Sequence, residues 1–236
     1  MSTAHLFADI VLAPERGLAA AAERRSLLPA LLAATAAALL AAAVLAPRVD
    51  YQRTVEEQLE QHPEAAAQMS PHDREVALAQ AQKLGGVSTY AQGALGPVLR
   101  TLAIAFCLFV AFRVANRPVP FAPTFSVAAW ATLPLALKDL LSIPAVWRMQ
   151  AVSVQEAERA LPSSLAALLP EGARPQLAAA AGAVELFALW SLVLVALGMA
   201  HVAQVDRRRS FTIVAVLWVS FVVLQRVAAP GLAGGR

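Results

Sequence analysis

Five long apolar runs, separated by polar segments, dominate the pattern of this chain. They cover residues 27–46, 98–114, 125–146, 183–205 and 211–229. A helix needs roughly 17–25 predominantly apolar residues to cross the hydrocarbon core of a bilayer, and every run falls in or near that range. The pattern therefore predicts an all-α integral membrane protein whose transmembrane domain, residues 27–229, is a bundle of five transmembrane helices.

The polar segments form a leader, two long loops and a tail. The leader covers residues 1–26, the loops about 47–97 and 147–182, and the tail 230–236. An amphipathic helix before a span usually lies in the membrane interface, so we expect an interfacial helix in the leader. Its narrow apolar face comprises Leu6, Phe7, Ile10 and Val11, and Pro14 interrupts it before a second short helix.

The first long loop carries a helix start signal at residues 70–73 (SPHD). This motif combines an N-cap serine, a proline at the first helical position and an acidic residue at the third. We expect the helix to run to about Leu84 and to end at Gly85-Gly86, because glycine commonly terminates helices.

Two further short helices are predicted in the loops. Val55 and Leu59 share one helical face before Pro63, and Ser153 with Glu156 forms a capping box for a helix that runs to about Leu161. We expect these helices to cover the outer mouth of the bundle.

Arginine placement predicts the orientation in the membrane, because short cytoplasmic loops carry an excess of Lys and Arg. The arginines of the leader and of the two short loops are Arg16, Arg24, Arg25, Arg113, Arg117, Arg207, Arg208 and Arg209. With five spans, this places the N-terminus in the cytoplasm and the C-terminus outside. A cleaved signal peptide is the alternative for the first run, but its apolar part exceeds the usual stretch of about 7–15 residues.

Composition supports a chain largely solvated by lipid. The mean hydropathy is +0.59 and charged residues make up 15%, against about 25% in an average soluble protein. The richness in Ala, Arg and Pro, with Lys83 and Lys138 as the two lysines, indicates a GC-rich genome and a bacterial inner membrane. No basic stripe alternates with aromatic residues, so we predict no nucleic-acid partner.

A set of four charged residues within the apolar runs lies at a comparable depth below the predicted outer surface. Charges near the bilayer centre cost about 2.5–3.5 kcal/mol on insertion scales and usually face the bundle. The predicted intramembrane polar cluster comprises Arg100, Lys138, Asp139 and Glu185, paired as Arg100 with Asp139 and Lys138 with Glu185. The cluster is either a site for a headgroup, an ion or a proton, or a network that fixes helix register.

Catalytic signatures are missing from the sequence. It has no nucleophile elbow, no glycine-rich phosphate loop and no HExxH motif. The single cysteine, Cys107, lies in the middle of the second run and cannot form an internal disulfide. We predict no catalytic residue, no metal and no cofactor.

Three stretches resemble the bacterial members of the Yip (Ypt-interacting protein) family. They are residues 7–15 (FADIVLAPE), 125–134 (FSVAAWATLP) and 189–199 (LWSLVLVALGM), the last followed by a short basic turn and a run that contains Leu217 and Trp218. The resemblance implies five spans, a cytosolic N-terminus and an outside C-terminus. Eukaryotic members bind Rab-type GTPases, but this chain lacks their Tyr-Gly-Pro element and has a short leader, so we do not predict a Rab-type partner.

These features predict a non-enzymatic polytopic protein that acts as a membrane-organising or accessory subunit. The expected partners are membrane lipids and other membrane proteins or a second copy of the chain. The alternative is a small transporter or permease component that uses Arg100, Lys138, Asp139 and Glu185.

Overall fold

The computed structural model describes residues 3–61, 63–165, 181–182 and 184–224, and within these ranges it is helical with isolated bridges but no β-strand. This confirms the all-α prediction. The helices are α1 (Thr3–Leu12), α2 (Pro14–Arg24), α3 (Leu28–Leu45), α4 (Tyr51–Gln61), α5 (Pro63–Gln68), α6 (Pro71–Val114), α7 (Phe121–Ala131), α8 (Leu133–Trp147), α9 (Val154–Arg159), α10 (Leu186–Val202) and α11 (Arg207–Val223).

Among the residues that the structure describes, three helical segments are long and apolar enough to cross a membrane. They are Leu28–Arg48, Pro71–Val114 and Phe121–Trp147, and they contain the first three apolar runs. The fourth run forms the shorter apolar helix α10. The fifth begins in α11, and its residues 225–229 lie outside the described residues. The count of five transmembrane helices therefore stays a prediction.

The chain divides into two compact units. Unit 1 comprises Met1–Ala34, Pro97–Ala136 and Ser163–Arg236, and unit 2 comprises Thr35–Gly96 and Leu137–Pro162. Helices α3 and α6 each contribute residues to both units.

Helix α7 lies in the middle of unit 1. Its residues from Ser126 to Ala131 are all buried, and the Trp130 side chain has no exposed surface. Helices α2 and α10 both pack against α7, and α10 packs against α11. A Cβ atom at Gly198 of α10 would lie 2.5 Å from Cγ1 of Val127, so the glycine allows the close approach of α10 to α7.

The turn between α10 and α11 is short, as the sequence predicts, and the two helices form an antiparallel hairpin. Asp206 caps α11 by accepting a 3.3 Å hydrogen bond from the backbone N–H of Arg209. One turn further, the Ser210 hydroxyl donates a 2.7 Å hydrogen bond to the carbonyl oxygen of Ala196.

The leader folds into the core of unit 1. Leu6 and Ile10 of α1 are 3% exposed, and Leu18 and Ala21 of α2 are completely buried. The Phe7 ring meets the Trp130 ring edge-on, with 4.7 Å between centroids. The apolar face that predicts an amphipathic helix thus packs mainly on the protein, and an interfacial placement of the leader stays a prediction.

In unit 2, the connection between α3 and α4 pairs with the connection between α8 and α9. Residues Val49 and Val152 form a parallel bridge, with Val152 N–H donating to the Arg48 carbonyl at 3.1 Å and Asp50 N–H donating to the Val152 carbonyl at 2.9 Å. The predicted capping box of Ser153 and Glu156 is present and starts α9. The helix predicted before Pro63 is also present, as α4.

Helix α6 corrects the prediction of a short helix that ends at Gly85-Gly86. Its N-cap geometry is as predicted, with Ser70 Oγ accepting from Asp73 N–H at 3.1 Å, but the helix continues through both glycines and Pro97 to Val114. Gly85 serves close packing instead of helix termination, because a Cβ there would lie 2.2 Å from Cγ of Tyr51. The close contact with Tyr51 is a tertiary effect, which the local helix propensity of glycine does not predict.

The third apolar run is broken into α7 and α8 at Thr132. Pro134 has no N–H to donate to the carbonyl one turn back, and the Thr132 hydroxyl donates to the Ala129 carbonyl at 3.0 Å. Pro144 does not break the helix, and α8 continues through it to Trp147.

Candidate functional site

The four members of the predicted polar cluster lie in three separate parts of the chain. Arg100 is exposed on α6, Lys138 and Asp139 are half-buried on α8, and Glu185 directly precedes α10. None of the four is without an interaction partner. The pairings of Arg100 with Asp139 and of Lys138 with Glu185 stay predictions.

Glu185 has a structural role that its charge alone does not predict. Its side chain is 8% exposed, and Oε2 accepts a 2.9 Å hydrogen bond from the Ala188 backbone N–H, so the carboxylate is the N-cap of α10. A negative charge at this position also suits the positive end of the helix dipole. Helix capping is therefore one reason why an acidic residue is favourable at position 185.

The predicted topology arginines Arg113 and Arg207 make specific side-chain contacts. The Arg113 guanidinium lies over the Phe109 ring, 4.6 Å from its centroid. Arg207 donates a 2.6 Å hydrogen bond to the carboxylate of Glu15 in α2. Arg24, Arg25, Arg117, Arg208 and Arg209 are exposed.

A second polar contact joins the leader to α10. His201 Nε2 lies 3.4 Å from Glu23 Oε1, and the side chains are 38% and 68% exposed. Because exposed ion pairs contribute little to stability, the apolar burial of Leu18 and Ala21 is the main force that holds α2 in unit 1.

Polar groups inside unit 1 mostly serve the backbone. The Trp130 indole N–H donates to the Ser26 carbonyl, where the leader turns into α3. Thr101 donates to the Pro97 carbonyl at 2.7 Å, and its hydroxyl lies 3.5 Å from that of Thr132. The bond from Trp130 satisfies a carbonyl outside the helices, whereas the Thr101 hydroxyl bonds a carbonyl one turn back in its own helix, as Ser and Thr side chains often do.

In unit 2, a cluster around Arg48 was not predicted from the sequence. Its guanidinium lies over the Trp147 ring, 4.5 Å from the centroid, and donates to the carbonyls of Val44 at 2.7 Å and Trp147 at 3.4 Å. The Tyr51 hydroxyl is 2.9 Å from that of Thr89. The partners are far apart in sequence, and the one available signal was a juxtamembrane Arg and Trp at the ends of two apolar runs.

The described part of the chain shows no assembled site for metal binding or for a catalytic nucleophile. No three His, Cys, Asp or Glu side chains come together there as metal ligands. Cys107 is exposed on α6.

The sequence of the chain matches the Yip1 domain over residues 8–225. The chain belongs to the Yip1 domain family. This match confirms the predicted membership of the Yip family, and the bacterial qualifier stays a prediction. No curated protein and no solved structure matches the chain. Family membership and three helices of membrane-spanning length together identify a membrane protein.

Proposed function

We propose that the chain is a non-enzymatic, five-span protein of a bacterial inner membrane and acts as a membrane-organising or accessory subunit. The N-terminus is cytoplasmic and the C-terminus external in this proposal. The observation that supports it is the packing of α7. Its residues from Ser126 to Ala131 are buried, and both α10 and helix α2 of the leader pack against it.

A transporter needs a polar path and two states that open to opposite sides. In unit 1, the path along α7 is filled by apolar side chains, with Val127, Ala128 and Trp130 at 0% exposure. The leader adds Phe7 and Leu18 to the same core. Such a dense arrangement suits a scaffold that presents fixed surfaces to lipids or to other membrane proteins.

The alternative is a small transporter or permease component that uses the cluster of Arg100, Lys138, Asp139 and Glu185. Cysteine labelling separates the two functions. With Cys107→Ala as the background, a scaffold predicts that a cysteine at Ala128 stays unreactive to a water-soluble thiol reagent added from either side. A cysteine at Leu186, which is 63% exposed, serves as the reactive control.

Labelling at Ala128 that depends on the side of addition or on an added solute would contradict the scaffold and support the transporter. Circular dichroism and size-exclusion profiles of each variant establish that the labelled protein is folded. Identification of the proteins and lipids that co-purify with the unmodified chain in mild detergent then tests which partners the scaffold contacts.

A further inference from the structure

A polar cavity of about 490 Å³ lies in unit 2, at the point where two candidate spans end. Arg48 and Trp147 are the last residues of the segments Leu28–Arg48 and Phe121–Trp147, and they stack on each other. Span ends mark the level of the lipid headgroups. The cavity therefore lies at headgroup level and has the size of an ordinary ligand pocket, roughly 300–1,000 Å³.

The cavity is lined by one positive and one negative side chain on the same short segment. Arg48 and Asp50 are both half-buried. The contacts of Arg48 are two backbone carbonyls and an aromatic ring, and Asp50 Oδ1 accepts a 3.0 Å hydrogen bond from Arg53 N–H. Within the described ranges, neither has an oppositely charged side chain at ion-pair distance. Both charges thus remain available to a ligand.

Neutral polar groups complete the lining. Gln52 of α4 and Gln82 of α6 meet at 3.4 Å through their amides, and Tyr51 closes one wall. Ala151 adopts a left-handed backbone conformation with φ of 53°, and its carbonyl accepts from the Arg53 guanidinium at 3.3 Å. Strained non-glycine residues of this kind concentrate at ligand sites, where the surrounding structure holds them.

We propose that this cavity binds a phosphodiester that carries an ammonium group, with the phosphate on Arg48 and the ammonium on Asp50. At headgroup level the expected source is a phospholipid such as phosphatidylethanolamine. The guanidinium offers paired donors that match a phosphate, and the carboxylate accepts from a primary ammonium. The ligand chemistry follows from the cavity alone, and the lipid source rests on the proposed membrane placement of the two spans.

The test uses the full chain in detergent and calorimetry with water-soluble short-chain lipids. Short-chain phosphatidylethanolamine is compared with phosphatidylglycerol, which has the phosphate but no ammonium. We expect wild-type protein to prefer phosphatidylethanolamine by about tenfold, the weight of one charge-assisted hydrogen bond. Equal binding of the two lipids, or no binding of either, would overturn the proposal.

Two variants test which charged side chain binds which group of the lipid. Asp50→Asn should abolish the preference while phosphatidylglycerol still binds, and Arg48→Gln should weaken both lipids. Arg74→Gln, an exposed arginine of α6 outside the cavity, is the matched control and should change neither. A preference that survives Asp50→Asn would contradict the assignment even if Arg48→Gln fails to fold.

Glycerophosphoethanolamine, which keeps the phosphodiester and the ammonium group but has no acyl chain, distinguishes the two sources. Weaker binding than the short-chain lipid supports a membrane source, whereas equal binding supports a soluble phosphodiester and overturns the lipid source. A reporter after Gly86 checks the membrane placement independently. A cytoplasmic reading there would defeat the proposed orientation and leave the ligand chemistry intact.

Discussion

Arg207 donates a 2.6 Å hydrogen bond to the carboxylate of Glu15, and this bond joins the start of α11 to the start of α2. Glu23 Oε1 lies 3.4 Å from His201 Nε2, near the end of α10. The leader and the turn between α10 and α11 therefore lie at the same end of unit 1. Two of the three segments that arginine placement assigns to the cytoplasm are in contact, which supports their assignment to one side of the membrane.

Topology is the first testable consequence. Reporter fusions after Arg117 and Arg209 should read as cytoplasmic and a fusion after Gly86 as external, because the arginines beside the short loops resist translocation. Replacing Arg207, Arg208 and Arg209 with alanine should weaken or invert the reading at the last loop. An external reading after Arg209 in the unmodified chain would defeat the five-span arrangement.

The leader gives a second prediction, which compares apolar and ionic contacts on one helix. Leu18→Ala removes a completely buried side chain and should lower the free energy of unfolding by about 2–5 kcal/mol. Glu15→Gln breaks the bond to Arg207, whose side chain is 69% exposed, and should cost only about 0.2–1 kcal/mol.

Thermal unfolding in detergent, followed by circular dichroism, measures the two leader variants side by side. The midpoint should fall clearly for Leu18→Ala and little for Glu15→Gln. The opposite order would mean that the ion pair, not apolar burial, holds the leader in unit 1.

The intramembrane charges give a third prediction, taken from the sequence. If Arg100 pairs with Asp139, then Asp139→Ala leaves a positive side chain in an apolar surrounding and should destabilise the protein. Adding Arg100→Ala should recover part of the loss, by a coupling energy of about 0.5–3 kcal/mol in a double-mutant cycle. Equal losses in the single and double variants would show that the two residues do not pair.

Local signals in the sequence predicted local structure well. Ser70 with Asp73 and Ser153 with Glu156 cap helices as predicted, because all the atoms involved lie within one turn. The break at Thr132 has a similarly local cause, because Pro134 has no N–H to donate one turn back. These features depend on a few neighbouring residues and on no distant partner.

Long-range packing explains what the sequence did not predict. The burial of Leu18 depends on α7 and α10, and the Arg48 cluster depends on Trp147 and on the bridge at Val152. Amphipathic periodicity reports that a face is apolar, but it does not report whether protein or lipid covers that face. The same limit produced the wrong helix end at Gly85.

That glycine pair provides the last prediction, since its two members differ in surroundings but share a helix. At Gly86 an added Cβ meets nothing within 4 Å, so Gly86→Ala should stabilise the helix by up to about 1 kcal/mol. At Gly85 the same methyl would lie 2.2 Å from Cγ of Tyr51. The Tyr51 ring cannot move away freely, because its hydroxyl bonds Thr89 at 2.9 Å and the Ala46 carbonyl at 3.3 Å.

Gly85→Ala should therefore destabilise the protein by about 1–3 kcal/mol, the usual cost of overpacking, despite its gain in helix propensity. Tyr51→Ala removes the obstructing ring, so in that background Gly85→Ala should become neutral or stabilising, which a double-mutant cycle on thermal or denaturant unfolding in detergent would measure. If Gly85→Ala and Gly86→Ala instead stabilise equally, the ring does not pack on Gly85. The helix would then tolerate both glycines for a reason other than the close approach of α4.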